Sequence, residues 1–288
     1  MKLCLACRRN FSREGWECPA CGYEPPEQDG IRLFAAREAE AGDGFDERSF
    51  EHLPSAEVAS FWFRARNRLV LWALETYFPH ARSMLEVGCG TGYVLSGVAS
   101  AFPQIRLVGS ELFPAGLATA AFRAPSAELL QADARKLPYS QEFDVVGAFD
   151  VLEHIEEDQE VLAELHRAVR PAGGLLVTVP QHPKLWSPVD DYSRHVRRYV
   201  RRELVAKLNR AGFDLMRLTS FVTLLLPVMA LSRLRQRRSR GFDPLAEYRS
   251  PAFVDSALGC VMAAERSLIR AGVSLPSGGS LLAVASRR

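Results

Sequence analysis

No stretch of this 288-residue chain reaches the roughly 20 consecutive apolar residues that a bilayer-spanning helix needs. The start, Met1-Lys2-Leu3-Cys4, lacks the apolar core of a secretory signal, so a cytoplasmic location is expected. Charge of one sign is also missing: 36 basic and 34 acidic residues leave a net of +2, which excludes a global polyanion binder and leaves only local patches. The main glycine loop is neither Gly-x-Gly-x-x-Gly nor a Walker loop with its Lys and Ser/Thr, which argues against a dinucleotide or a triphosphate. Cysteine is scarce and uneven, since four of the six lie within the first 21 residues. At 48% hydrophobic and 24% charged residues, the chain is long and apolar enough to bury a core.

The clustered cysteines form two equal knuckles, Cys4-Leu5-Ala6-Cys7 and Cys18-Pro19-Ala20-Cys21, with ten residues between them. Each knuckle puts two thiolates on one side of a turn, and two turns complete a tetrahedral zinc site. Disulfides or a redox pair are the alternative, disfavoured in a reducing compartment. Residues 1–24 resemble a small zinc ribbon. So short a segment would draw most of its folding energy from the metal, and four thiolates leave no open position for catalysis. Residues 25–50, with Pro25-Pro26, Gly30, Gly42 and Gly44 among many charges, read as a linker.

The most organised stretch is Met84-Leu85-Glu86-Val87-Gly88-Cys89-Gly90-Thr91-Gly92-Tyr93-Val94, an apolar run that enters a glycine turn and leaves as a helix. Alternate glycines let backbone approach a ligand, and helix-start amides hold an anionic group. Glu86 would repel a phosphate but pair with an ammonium, so a zwitterionic ligand fits better. Three further apolar runs end in acids: Glu111 after Ile105–Ser110, Asp133 after Glu128–Ala132, and Asp150 at the end of the run from Phe143. Acids at the carboxyl ends of successive parallel strands line one crevice. With Leu175–Val179, Phe213–Ser220 and Ser280–Ala285, the alternation of strand-like and helical runs predicts an α/β doubly wound sheet.

Leu85–Gly92, Glu111, Asp133, the Phe143–His154 block and Arg170-Pro171-Ala172-Gly173-Gly174 together resemble the class I S-adenosylmethionine-dependent methyltransferases, over roughly residues 51–288. The resemblance implies a Rossmann-like, mostly parallel sheet with one antiparallel edge strand and a helical insertion at about 221–279. It implies a methyltransferase whose cofactor is S-adenosyl-L-methionine. Glu86, Gly88, Cys89, Gly90, Thr91 and Gly92 would receive its methionine end, Glu111 and Leu112 its ribose, and Asp133 and Ala134 its adenine. Asp150 would contact the methionine portion.

The acceptor is less legible. Asp150-Val151-Leu152-Glu153-His154 follows a strand, and His154 is a candidate catalytic base or a packed, capping histidine. The same stretch resembles the Glu-x-x-Glu-His pattern of quinone-pathway O-methyltransferases that bind a divalent metal such as Mg, with Asp150 replacing the first Glu. The loop Gln181–Tyr199 offers His182 and His195 as further bases, with Asp190 or Asp191 as orienter. Ser55–Phe78 reads as an amphipathic helix, either packed in the core or acting as a lid. The run Phe221–Leu231, followed by five arginines within 233–240, is either a buried helix or an interfacial one meeting anionic headgroups.

These features suggest a small or lipid-linked acceptor, methylated at a hydroxyl, with peripheral membrane contact through 221–240. Nucleic acid is the second reading, because some rRNA methyltransferases carry an N-terminal zinc module. Against it stands Asp150-Val151-Leu152, where an Asn-Pro-Pro-Tyr motif would mark an amino-base methyltransferase. A non-catalytic cofactor-binding scaffold is the third.

Overall fold

The computed structural model describes residues 1–41, 47–238 and 251–288. Its strands in chain order are β1 (Lys2–Leu3), β2 (Asn10–Phe11), β3 (Glu27–Gln28), β4 (Ile31–Leu33), β5 (Ser83–Val87), β6 (Arg106–Glu111), β7 (Glu128–Gln131), β8 (Phe143–Phe149), β9 (Val169–Pro180), β10 (Phe213–Phe221) and β11 (Ser280–Arg287). β1 and β2 pair with each other, and the other nine form one sheet in the order β10-β11-β9-β8-β5-β6-β7-β4-β3. Every residue of β5 is buried, as expected for a central parallel strand covered on both faces. The chain steps outward from β5 through β6 to β7, then returns to the other side of β5 as β8. That reversal is where doubly wound sheets open a crevice, and it brings the glycine loop after β5 beside Asp150 after β8.

β11 runs antiparallel to both β9 and β10, so the expected antiparallel feature at this end of the sheet is a strand inserted between two others. The insertion ahead of β11 holds the helices Leu226–Arg238 and Ala252–Arg270. Glu265 fixes where it begins: its carboxylate accepts from the amides of Val222, Thr223 and Leu224 at 2.7, 2.6 and 2.8 Å. Asp255 anchors the second helix by accepting from Phe61 N and pairing with Arg64 of the helix Phe61–Tyr77. The arginine run extends to residues 239–240, which lie outside the described residues.

Residues 25–50 are not simply a linker. β4 adds to β7 in parallel, β3 folds back on β4, and the Gln131 side chain clamps Ala35 by accepting from its N at 2.9 Å and donating to its O at 2.7 Å. Strands of two and three residues carry no readable period, so composition dominated the expectation. The cysteine module is likewise docked. Leu3 N donates to Pro138 O at 2.8 Å, and Trp16 meets Phe34 and Tyr139 edge-on, with centroids 4.8 and 5.5 Å apart. Cys4, Phe11, Trp16 and Cys18 share one apolar cluster with Leu85 and Val108, so the short segment borrows the core it could not build.

Candidate active site

Three glycines shape the loop after β5, each in the left-handed region: Gly88 at φ 68°, Gly90 at 53° and Gly92 at 75°. A Cβ on Gly88 would lie 2.5 Å from Val151 Cγ2, and one on Gly92 would lie 2.8 Å from the backbone of Ala120. The loop is thus wedged between the segment after β8 and the helix Pro114–Arg123, and only glycine fits. Gly92 then starts the helix Tyr93–Ala101.

This loop borders a cavity of about 990 Å³. Glu86, Gly88, Cys89, Gly90, Thr91, Glu111, Leu112, Asp133, Ala134 and Asp150 all line it, while Gly92 acts from behind by setting the turn. Glu86 is buried, and its Oε2 has no hydrogen-bond partner among the described residues. Burial pushes its carboxyl up to about 8, against the opposing pull of Arg66. A buried acceptor with nothing to accept from costs about 1–3 kcal/mol, which a ligand's ammonium would recover. Glu111 accepts from the amides of Gly90, Leu112 and Phe113 at 3.0, 2.8 and 3.1 Å, tying the end of β6 to the loop. Asp133 accepts from Arg135 N at 2.8 Å and from its Nε at 3.0 Å.

Asp150, at φ 57°, is paired with Arg66 rather than left open. Arg66 lies over the rings of Trp62 and Phe63, 4.8 and 5.4 Å from their centroids. In the expected metal pattern the Asp150 carboxylate is taken by Arg66, while Glu153, His154 and His195 each place a ligand atom within 4.8 Å of the others. Glu153 is buried, and its carboxyl is raised well above the ordinary range by burial and by Asp150.

His154 and His195 also line the cavity, and their rings meet edge-on with centroids 4.7 Å apart. Burial, with His195 nearby, drops the His154 imidazole to about 3, so it stays neutral. His195 Nδ1 donates to Asp190 Oδ1 at 2.9 Å, and Arg198 Nε donates to the same oxygen at 2.6 Å. Burial alone would raise the Asp190 carboxyl, but the hydrogen bond from His195 and the Arg198 charge hold it below its usual range. Asp191 instead accepts from Trp186 Nε1 at 2.8 Å, so of the two carboxylates Asp190 is the one placed against His195. His182 is placed elsewhere: its Nε2 bonds Ser277 Oγ at 2.8 Å, and it does not line the cavity.

Sequence reasoning missed Arg66 and the cluster that closes the loop from above. There Thr91 Oγ1 donates to Glu57 at 2.7 Å, Arg123 pairs with Glu57, and Phe50 lies 3.7 Å from where a Cβ on Gly90 would sit. A signal for Arg66 did exist. It falls on the Trp62–Leu69 stripe, where a charge on an apolar helix face calls for a buried partner.

At the N-terminus, Cys4 and Cys21 sulfurs lie 3.6 Å apart, those of Cys7 and Cys18 3.7 Å apart, and all four within 4.8 Å of one another. That spacing suits four thiolates around one ion.

Residues 85–177 match the methyltransferase domain family. A probable S-adenosylmethionine-dependent methyltransferase of Mycobacterium tuberculosis is 31% identical over 166 residues, covering 56% of this chain and 58% of that protein. A demethylmenaquinone methyltransferase of Chlorobaculum tepidum is 28% identical over 134 residues, covering 46% of this chain and 54% of that one. The chain therefore spans little more than half the length of these relatives. Among solved structures, a SAM-dependent methyltransferase of Thermotoga maritima superposes with a TM-score of 0.55 at 15% identity, covering 84% of this chain and 97% of that one. The [4+2]-cyclase SpnF gives 0.53 at 21%, covering 90% and 99%. At such identities these structures speak to the fold alone.

Proposed function

We propose that the chain, whose residues 85–177 match the methyltransferase domain family, is an S-adenosylmethionine-dependent methyltransferase that methylates a hydroxyl of a small or lipid-linked acceptor. One observation carries this reading: Glu86, whose Oε2 has no partner among the described residues, and the His195–Asp190 pair line the same cavity. Bound S-adenosylmethionine supplies a methyl on a sulfonium with a neutral leaving group. Glu86 takes the ammonium, Glu111 the ribose hydroxyls, and Asp133 with Ala134 the adenine edge. The protein's remaining work is alignment, exclusion of water and removal of one proton.

His195 does the last of these. With Nδ1–H committed to Asp190, its Nε2 carries the lone pair that accepts a hydroxyl proton, and ionised Asp190 stabilises the imidazolium that forms. His154 stays neutral and packs against the edge of His195. On the acceptor side Leu225, Met229 and Leu258 supply apolar wall, which favours an acceptor with an apolar body. Cys4, Cys7, Cys18 and Cys21 would hold a structural zinc ion, which would pin the N-terminal module in place.

Calorimetry with S-adenosylmethionine tests the first part, and absence of binding to the wild type would end the proposal. Labelled methyl transfer into an extract of cells lacking the protein, separated into lipid, small-molecule, protein and RNA fractions, tests the second. Label in the lipid or small-molecule fraction supports the acceptor class. Label in RNA or protein overturns it.

A further inference from the structure

The helix Leu226–Arg238 carries two apolar stripes. The inner one, Leu225 and Met229 with Ser232 and Arg233 a turn further on, lines the cavity. The outer one, Leu224, Val228, Leu231 and Leu234, is turned away and exposed at 46%, 59%, 50% and 50%. Spacings of three residues keep Val228, Leu231 and Leu234 on one side of the helix, and Leu224 sits in the turn just before it. Val228 belongs to both sets, being exposed and also part of the cavity wall, so the outer stripe runs up to the cavity rim. Four large aliphatic side chains in a row at half exposure form a patch rather than scattered surface residues.

Arg235 is exposed, the sequence adds arginines at 237, 238 and 240, and the helix contains no acidic residue. Arg233 is not part of that surface, since it is buried against Ser187. An apolar stripe with an exposed arginine beside it and an arginine-rich sequence after it is the composition of a helix lying in the headgroup region of an anionic membrane. A protein partner of matching shape would not require the arginine run. No helix among the described residues is long and apolar enough to cross a membrane, so contact would be peripheral.

We propose that the outer stripe of Leu226–Arg238 docks on an anionic lipid surface and places the cavity rim at Val228 against it, so that a lipid-linked acceptor enters from the bilayer. The proposal rests on the acceptor class proposed above, but its test is independent of catalysis. Vesicles of phosphatidylcholine with and without phosphatidylglycerol are mixed with the full chain and sedimented. The wild type is expected to pellet with the anionic vesicles and to be released by salt. Arg235→Gln should weaken this binding about fivefold. Leu231→Glu with Leu234→Glu should abolish it while leaving the melting temperature and the S-adenosylmethionine affinity unchanged, neither residue lining the cavity. Failure of the wild type to bind anionic vesicles, equal binding to neutral ones, or undiminished binding by the double variant would each overturn the proposal. So would a solution dimer that the double variant dissociates, because the stripe would then be an interface between copies. Absent cofactor binding, by contrast, would count against the methyltransferase reading and not against docking.

Discussion

Asp190 holds His195 by a 2.9 Å hydrogen bond to Nδ1, leaving Nε2 as the imidazole nitrogen free of that carboxylate. If this pair removes the acceptor proton, His195→Ala lowers kcat by about 10²–10⁴-fold while the cofactor Kd stays within twofold of wild type. Asp190→Asn should also lower kcat, because an amide can stabilise the wrong tautomer. His182→Ala should leave kcat nearly unchanged, as His182 is bound to Ser277 away from the cavity. Steady-state rates for the three variants separate these outcomes.

Glu86 gives the cofactor site a pH dependence of known sign. Its carboxyl is raised by burial to about 8 from an ordinary 4.5, so the free protein holds it protonated at neutral pH. Binding an ammonium favours the carboxylate, hence one proton leaves on binding. Affinity for S-adenosylmethionine should therefore rise about tenfold per pH unit between roughly pH 5.5 and 7. Glu86→Gln should flatten the slope. Calorimetry in buffers of differing ionisation enthalpy reads the released proton directly. For the unliganded fold the linkage runs the other way. Stability from protonated Glu86 is full below pH 4.5 and is lost as pH rises through about 8, so the melting temperature should drop across that window unless cofactor is present.

Gly92→Ala should destabilise the fold by about 1–3 kcal/mol, because φ 75° is strained for alanine and its Cβ would sit 2.8 Å from Ala120 backbone. Thermal melts measure the loss. Gly90→Ala meets only Phe50, at 3.7 Å, so it should cost less stability than Gly92→Ala.

Trp16→Ala should cost about 3–5 kcal/mol, because it empties the seam between the cysteine module and the body. Stripping the proposed zinc with a thiol-reactive mercurial should release one ion per chain and shift Trp16 fluorescence to the red as that seam opens. A disulfide-linked module would release none.

What could be read from the sequence was whatever depends on local spacing. The glycine loop, the acids after successive strands and the paired cysteines are each set by a few adjacent residues, and each is found where the spacing put it. The Arg66–Asp150 pair joins residues 84 positions apart and becomes visible only once the helix Phe61–Tyr77 lies against the sheet, where it meets β9. His182 and His195 are chemically equivalent in the sequence. The turn at Ser187–Asp190 buries one carboxylate and selects His195 as its partner. β4 went unseen because three residues cannot show alternation, and its place is decided by β7 and the Gln131 clamp.

That clamp bears on aggregation. Without β4, the outer side of β7 would present unpaired amides and carbonyls, the kind of exposed strand border on which a second chain can polymerise. The shielding comes from the segment that joins the cysteine module to the body, so the front of the chain is a cover that the sheet requires. A fragment trimmed to begin at residue 51 would keep all of the crevice lining but Phe50 yet carry a raw border at β7, and it should form oligomers that the full chain does not.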